Sequence, residues 1–495
     1  MKDGRLQSHS NLNSNLTVSE RRVPFRLNQN LKFNARYPQV HTKTLGSLSM
    51  SFALNLMTIL SVSFASSSAM ANSLDETIRA AVSFDKALAS AAANRQAAAE
   101  NIGIARSRLL PQLNVQGFKQ NLNQTTTQNT SLGPQANVFQ GESYQYQLSL
   151  RQSLFRPRDW AGFSLGQQQA LYGELKFESA RSDLFNRASG TWIDVLAALS
   201  SKELYQSAIQ TISESATQER RRFEKGDGTK DSMIEAQAQL TQAKAMLQDA
   251  ELNLEAKLLS HRLFTGSMPV SWDQQRLPAE DQVSFDNTQK DMFLERIKSQ
   301  SPEILAAKAV EGVNASRVTQ SIADHLPTLD MVASATRAQN DTTNTLGYTY
   351  QNQQVGLQLT LPLYSGGGIE ATKRQAVATL DASIADRESL QMRIETQFEN
   401  DWAAQAGLLE RTKAARSLMF SAQEQKKAAL AGVQKGLRTW SDVSNAELLL
   451  ARRTSDLIGI QTNLYKLQAR ILSLLPTQDE AWNSWIQSLD TASAR

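Results

Sequence analysis

Two short stretches with one pattern, LPQL at 110–113 and LPTL at 326–329, decide how this chain of 495 residues folds. Each follows a segment rich in Ala, Gln and Leu, and each precedes a segment in which apolar and polar residues alternate. Proline has no backbone N–H and disfavours the helical conformation in the residue before it. We therefore predict helix-to-strand turns at Pro111 and Pro327.

The segments around the two turns share one plan, which indicates an internal repeat. Each half is predicted to contain a helix, two strands, a very long helix and a returning helix. The predicted elements of the first half are 75–110, 112–123, 144–151, 161–225 and 229–264. Those of the second half are 291–325, 328–338, 355–363, 368–434 and 438–474.

The strands have one apolar and one polar face. Val355, Leu357 and Leu359 alternate with small or polar residues, as do the aromatic and leucine residues of 144–151. Such alternation is typical of a transmembrane β-barrel wall, which meets lipid on one side and water on the other. The Thr-, Asn- and Gln-rich segments 124–142 and 339–350 are predicted to be exposed loops between paired strands.

The two long helices contain no proline and end at glycine-centred turns. Each would be about 100 Å long at 1.5 Å per residue. Gly226 and Gly436 lie where the chain must reverse, and glycine tolerates the positive φ that such a turn requires.

Composition excludes several classes of protein. The mean hydropathy of −0.40 is too low for a bundle of membrane-spanning helices. The chain contains no cysteine, which excludes disulfides, thiolate metal sites and an N-terminal lipid-carrying cysteine. The formal net charge is +4.

The basic character is concentrated in the first 71 residues. An apolar run at 45–64 follows basic residues and ends at the small-residue site Ala69-Met70-Ala71, which is typical of a secretory signal peptide. An uncleaved transmembrane anchor is the alternative. The segment 1–71 holds eight basic and two acidic residues, so cleavage would remove +6 and leave a net charge of −2. A nucleic-acid partner is therefore not predicted.

Four strands cannot close a barrel by themselves. An open sheet edge in lipid leaves backbone groups unpaired at several kcal/mol each, and the smallest membrane barrels have about eight strands. If the strands span a membrane, the chain must therefore form an oligomer. The alternative is a water-soluble helical protein with two incidental hairpins.

Several motifs resemble the TolC family of outer-membrane efflux and secretion channels. They are LPQLN, SLFRPRDWA and GDGTKDSMIEAQ in the first half, and ADHLPTLDMVAS, LPLYSGGG and GLRTWSDVSNAE in the second. The resemblance covers essentially the whole chain after the leader, and it implies a mostly α-helical fold with a membrane β-barrel. Three chains would form a homotrimer in which four strands per chain build a 12-stranded outer-membrane β-barrel on a long periplasmic α-helical barrel.

The resemblance also implies location, partners and domain order. The channel would lie in the outer membrane, in contact with its lipid, and would work with a periplasmic adaptor, or membrane fusion protein, and an inner-membrane transporter. The predicted organisation is a leader and signal peptide at 1–71, a first repeat at 72–264, an equatorial connector at 265–290, a second repeat at 291–475 and an equatorial C-terminal tail at 476–495.

The resemblance assigns candidate roles to individual residues. Arg438 and Asp442 match charged positions of the family's periplasmic constriction, whereas Asn445 replaces a second aspartate there. Asp231 lies one residue before the corresponding aspartate position of the first half. Gly226 and Gly436 would form the turns that contact the adaptor. From the strand alternation, Arg151 is predicted to face the lumen.

No motif points to catalysis. His261 and His325 are isolated and are predicted to be structural, since a metal site needs clustered ligands. We predict no enzyme activity, metal or cofactor, and a passive export channel for protein (type I secretion) or small-molecule cargo. The competing hypothesis is a periplasmic coiled-coil adaptor or scaffold without a pore, which would lack lipid-facing strands.

Overall fold

The computed structural model describes residues 73–266, 272, 275–278, 285, 287–342 and 345–493. The predicted leader and most of the predicted connector lie outside these residues, and both stay predictions. In the described ranges, no helix combines the length and the apolar character needed to cross a membrane.

One order of elements occurs in both halves of the chain. The first half consists of α1 (Leu74–Phe84), α2 (Lys86–Ser107), β1 (Gln112–Thr130), β2 (Gly133–Phe155), α3 (Pro157–Glu224) and α4 (Lys230–Thr265). The second consists of α5 (Lys290–Gln300), α6 (Pro302–Ala323), β3 (Thr328–Thr342), β4 (Thr345–Thr360), α7 (Gly368–Gln434) and α8 (Trp440–Leu472), and is followed by α9 (Glu480–Ser493). The long helices α3 and α7 have 68 and 67 residues, which confirms their predicted length.

Each half opens with two helices instead of the single helix that we predicted. The first break lies at Asp85, whose Oδ1 accepts a hydrogen bond from the N–H of Leu88 at 2.6 Å and so caps α2. The second lies at Ser301, which is extended because Pro302 follows it and begins α6. Both breaks are caused by local capping residues, and the spacing of apolar residues along a helix does not reveal them.

The two hairpins are longer than predicted. β1 and β2 pair continuously from Gln112 opposite Arg151 to Thr130 opposite Gly133, so 124–142 is not a loop. The segment 339–350 likewise lies mostly within β3 and β4. An antiparallel ladder satisfies the backbone whatever the side chains are, and threonine favours extended backbone. Polar side chains on both faces are therefore compatible with paired strands as well as with loops.

The four strands form one antiparallel sheet in the order β1-β2-β3-β4, so β1 and β4 each have a free edge within the chain. One face of the sheet is exposed, and its part nearer the helices is apolar. Its exposed apolar side chains are Leu113, Val115, Leu148, Val355, Leu357 and Leu359. The predicted strands and their alternation are confirmed, except that β4 ends at Thr360 because Pro362 cannot continue the ladder.

The helix α3 packs lengthwise against its neighbours. Near its start, α2 comes so close that a Cβ at Gly166 would lie 2.7 Å from the carbonyl oxygen of Asn101. Farther along, Asp194 binds Lys257 of α4 at 3.3 Å and Lys466 of α8 at 2.5 Å. One carboxylate of α3 thus joins the returning helices of both halves.

A central hydrophobic core holds the middle of the helices together. It includes Trp192 of α3, Trp402 of α7, and Trp482 and Trp485 of α9, all buried. The predicted C-terminal tail therefore contains a helix that is part of the core. The N–H of Leu74 donates to Asp490 Oδ1 at 2.6 Å, so α9 also caps the start of α1.

Candidate functional site

The turns after the long helices have one hydrogen-bond pattern. Gly226 and Gly436 have φ values of 82° and 72°, and the N–H of the residue after each glycine donates to the carbonyl five residues earlier. These bonds are 2.9 Å from Asp227 to Arg222 and 2.8 Å from Leu437 to Gly432. This is the Schellman arrangement. A Cβ at either glycine would meet nothing within 4 Å, so the backbone conformation and not space requires glycine.

Asp442 caps its own helix. Its Oδ2 accepts hydrogen bonds from the N–H of Thr439 at 2.8 Å and from the hydroxyl of Thr439 at 2.9 Å. In return, the N–H of Asp442 donates to Thr439 Oγ1 at 3.2 Å, which completes a capping box at the start of α8. The carboxylate predicted for the constriction thus has a local structural role in the single chain.

Asn445 belongs to a polar network between α4 and α8, formed with Glu235, Gln239 and Ser441 (the tip network). Its Oδ1 accepts from Gln239 Nε2 at 2.8 Å, and its Nδ2 donates to Glu235 Oε1 at 3.1 Å. The same nitrogen of Gln239 lies 3.2 Å from both Ser441 Oγ and Glu235 Oε1. Gln239 and Ser441 are buried, whereas Glu235 and Asn445 are exposed. The asparagine that replaces an aspartate is thereby tied to the other half of the chain.

A second link at this end was not predicted. Glu219 of α3 is 1% exposed, and its Oε1 accepts a hydrogen bond of 2.6 Å from the N–H of Trp440, the first residue of α8. The N–H groups of a first helical turn lack partners within the helix, so a buried carboxylate from α3 fills that need. No sequence motif marks Glu219, because its partner is 221 residues away.

The remaining predicted constriction residues are exposed. The side chain of Arg438 lies over the end of α7, where a Cβ at Gly432 would be 2.9 Å from its Cγ. Asp231 lies in the first turn of α4, where a carboxylate stabilises the helix. Within the described part of the chain, neither Arg438 nor Asp231 forms an ion pair.

Arg151 belongs to a cluster of charges where the strands meet the helices (the barrel root), together with Arg156, Asp159 and Asp330. Arg156 binds Asp330 with two hydrogen bonds of 2.8 Å, and Arg151 Nη2 donates to Asp330 Oδ2 at 2.6 Å. The Asp330 side chain is 3% exposed, and Asp159 lies 3.8 Å from Arg156. The cluster joins β2, β3 and the start of α3.

A cavity of about 250 Å³ opens at the barrel root, with Arg108 and Gln112 beside Arg151 and Asp330 in its wall. Asp330 is the last residue of the LPTLD motif, but its role in the root could not be deduced from the motif alone. Pro111 and Pro327 each directly precede a strand, as the predicted helix-to-strand turns require.

The histidines are apart from each other. His261 is buried, its Nε2 lies 3.3 Å from Thr77 Oγ1, and its ring meets the Trp272 ring edge-on. Burial lowers the pKa of His261 to about 4, so the imidazole is neutral at pH 7. His325 is exposed and lies 3.1 Å from Glu370. Among the described residues, no group of three or more His, Asp or Glu side chains could hold a metal ion.

Comparison with known proteins agrees with this architecture. A family model described as "Outer membrane efflux protein" matches residues 77–266 and 293–476, which is more than half of the chain. Among solved structures, the outer-membrane channel CmeC of Campylobacter jejuni superposes with a TM-score of 0.68 at 15% identity, over 92% of this chain and 97% of that one. At this identity the likeness concerns the fold.

Two characterised relatives have names that refer to protein secretion. The chain is 28% identical over 400 residues to "Proteases secretion protein PrtF" of Dickeya chrysanthemi, covering 80% of this chain and 86% of the relative. It is 26% identical over 384 residues to "Alkaline protease secretion protein AprF" of Pseudomonas aeruginosa, covering 76% and 79%.

Proposed function

The chain belongs to the outer membrane efflux protein family and is an outer-membrane export channel of the TolC type, and we propose that three copies form its conducting unit. Each copy contributes four strands to a 12-stranded barrel and its helices to a periplasmic tunnel. The relatives support a channel over a poreless adaptor.

The observation that carries this proposal is the sheet itself. It has four strands, a free edge at β1 and another at β4, and one exposed apolar face. Unpaired strand edges are not tolerated in the hydrocarbon region, because each unsatisfied backbone group costs several kcal/mol. Pairing β4 of one copy with β1 of the next satisfies both edges and places the apolar face against lipid.

The test places one charge on either face of the sheet. Leu148→Arg is expected to reduce assembly, at roughly 2–4 kcal/mol if the site lies near the bilayer midplane. Gln147→Arg, on the neighbouring residue and the opposite face, should leave assembly nearly unchanged. Outer membranes are solubilised in mild detergent, and the heat-sensitive trimer is quantified on gels. Equal assembly of both variants, or a monomer in the unchanged protein, would contradict the proposal.

We further propose that the ends of the helices near Gly226 and Gly436 form the periplasmic entrance, with Arg438, Asp442, Asn445 and Asp231 around it. The tip network supports this, since Gln239 and Asn445 join α4 to α8 through amide hydrogen bonds, and the exposed Glu235 is its only charged member. The two exposed turns are proposed to contact the adaptor, which in turn would connect to an inner-membrane transporter. Cross-linking from a single cysteine introduced at Asp227 or Leu437 tests the contact, since the chain has no other cysteine.

The cargo is proposed to be protein, exported by type I secretion. The names of PrtF and AprF support this choice over small-molecule efflux. The test expresses the chain in a strain that lacks its own channel but contains a protease-secreting transporter and adaptor. Secreted protease activity without a gain in drug resistance is the expected result, and the reverse outcome would favour efflux. N-terminal sequencing of the exported protein tests the predicted cleavage after Ala71.

A further inference from the structure

The face of the sheet opposite the apolar one is almost free of net charge. The strand register aligns its residues in rows that cross all four strands. One row consists of Asn114, Ser149, Ser334 and Gln354, and the next of Gln116, Gln147, Thr336 and Asn352. Every member of both rows is polar and uncharged. The row above them, Phe118, Gln145, Ala338 and Tyr350, is uncharged as well.

Among the side chains of this face that the structure describes, formal charge appears only below these rows. Arg151 and Asp330 lie there and bind each other at 2.6 Å, within a barrel root in which two arginines balance two aspartates. Arg108 also borders the root cavity, so the root carries more positive charge than the rows above it. The three uncharged rows and the root are therefore electrostatically distinct sections of one surface.

We propose that the barrel section of the channel is an amide-lined passage that admits extended polypeptide of either net charge. This inference rests on the proposed function, because the rows line a lumen only if the copies close into a barrel. Each of the two polar rows would then become a ring of uncharged hydrogen-bonding groups, and the third row would become an uncharged ring that is partly apolar. Rings of charged side chains give a pore its preference for cations or anions. Because the rings formed by these rows carry no charge, we expect them to favour neither.

The chemistry of the rows suits a peptide backbone. Amide side chains donate and accept hydrogen bonds, as peptide groups do, and Gln145 Nε2 already donates to Gln147 Oε1 at 3.3 Å on this face. Because water and neighbouring amides satisfy the same groups, no strong site holds a passing chain. Selection by charge is left to the barrel root and to the periplasmic entrance.

The experiment compares charges introduced at two neighbouring residues of β4 whose side chains lie on opposite faces of the sheet. Asn352→Glu adds a carboxylate to an uncharged row, whereas Gln351→Glu adds one to the other face, opposite Arg337. The full-length protein is reconstituted in planar bilayers, and oligolysine or oligoglutamate of equal length is added on the barrel side. The rate of current blockade is measured for each peptide at voltages of equal size that drive it inward.

The unchanged channel should capture both peptides at rates within about threefold, since charge-lined clefts change such rates by roughly 10- to 1000-fold. Asn352→Glu should raise oligolysine capture and lower oligoglutamate capture about tenfold each, and Asn352→Lys should do the reverse. Gln351→Glu should change neither rate. The measurements are repeated in proteins that also carry Arg108→Gln, which removes a positive charge of the root. The same changes in capture rate there would show that they arise at the rows and not at the root.

Two results would overturn the inference. In the first, the unchanged channel captures one peptide at least tenfold faster than the other, and this preference persists with Arg108→Gln. In the second, Asn352→Glu and Gln351→Glu have equal effects on the two capture rates. If the purified protein formed no conducting channel at all, the proposed function would fail and this inference with it. Conducting channels with a strong charge preference at the rows would overturn this inference alone.

Discussion

The two ends of the helices hold their neighbours by different means. At the barrel root, the buried carboxylate of Asp330 binds two arginines through charge-assisted bonds of 2.6–2.8 Å. In the tip network, Gln239 and Asn445 join α4 to α8 through amides, and the exposed Glu235 is the only charged member. The root is held by a buried carboxylate and two arginines. The tip is held by the amides of the tip network and by the buried carboxylate of Glu219, which accepts a hydrogen bond from the N–H of Trp440.

This difference predicts which contacts are easier to break. Breaking a buried ion pair strands a charge in a poor solvent, at a cost of about 3–5 kcal/mol. Breaking a neutral hydrogen bond beside water costs only about 0.5–1.5 kcal/mol. We therefore expect the tip network to separate at a lower cost in free energy than the root, while the bond from Trp440 to the buried Glu219 stays in place.

The largest effect is expected at the root. Asp330→Ala leaves Arg151 and Arg156 without their shared partner and should cost roughly 2–4 kcal/mol, a range that allows for the partial exposure of both arginines. The temperature at which the assembled protein dissociates in detergent measures this loss. Asp324→Ala, which breaks the more exposed Arg158–Asp324 pair of 2.6 Å, is the control and should cost about 0–1 kcal/mol. If both variants lowered the dissociation temperature equally, the ion pairs of the root would be no stronger than an exposed pair, contrary to the prediction.

Acid should weaken the central core that lies between the two ends. The pKa of His261 is lowered from 6.5 to about 4, so below pH 6.5 the unfolded chain binds a proton that the folded chain does not. Stability is therefore complete above pH 6.5 and is lost as the pH falls towards 4. From pH 7 to 5 this group should cost about 2 kcal/mol.

Dissociation temperatures of the unchanged protein and of His261→Gln, measured between pH 7 and 5, test this effect. The difference between the two should shrink as the pH falls. His325→Gln, at an exposed histidine, is the control and should leave the pH dependence as it is. An unchanged slope in His261→Gln would contradict the buried, neutral imidazole.

A smaller effect is expected at the tip network. Gln239→Leu keeps the volume but removes the amide that lies within hydrogen-bond distance of three oxygens, at about 1–2 kcal/mol. If the network holds the entrance closed, the open probability of single channels should rise roughly tenfold. Gln237→Leu, at an exposed position of the same helix, should not change it. A stable protein whose open probability stays unchanged would show that the network is structural only.

The smallest effect separates two roles of Asp442. Thr439→Ala removes half of the capping box and should cost about 1 kcal/mol without changing any charge. Asp442→Asn can still accept a hydrogen bond but loses the charge. If Asp442 also faces the ion path, Asp442→Asn should reduce the cation preference in a salt gradient, and Thr439→Ala should not. Identical ion selectivity in both variants would leave Asp442 with the capping role alone.

Local signals made much of the fold predictable. The prolines at 111 and 327 stop helices through the chemistry of one residue, and the glycines at 226 and 436 permit a reversal that other residues resist. The hairpins were underestimated, because polar residues such as those of 124–142 are typical of loops and of strands in water alike. The helix breaks at Asp85 and Ser301 required capping geometry rather than periodicity.

The links within the candidate site were not predictable in this way. Asp330 and Arg151 are 179 residues apart, and Glu219 reaches the N–H of Trp440 across 221 residues. Nothing in the sequence near Glu219 distinguishes it from a solvated helical glutamate. Its burial is decided by how α3 packs against the start of α8.

By itself the sequence determined the repeated order of helices and strands, the family, and the need for partner strands, because each follows from short-range patterns or from the count of strands. Tertiary structure decided which charges are buried and which amides meet. Such contacts form only when distant segments pack together, and their strength depends on how much water the packing removes. Asp330 at the root and Gln239 at the tip are both buried by such packing, and they differ in the charge of the group that it buries.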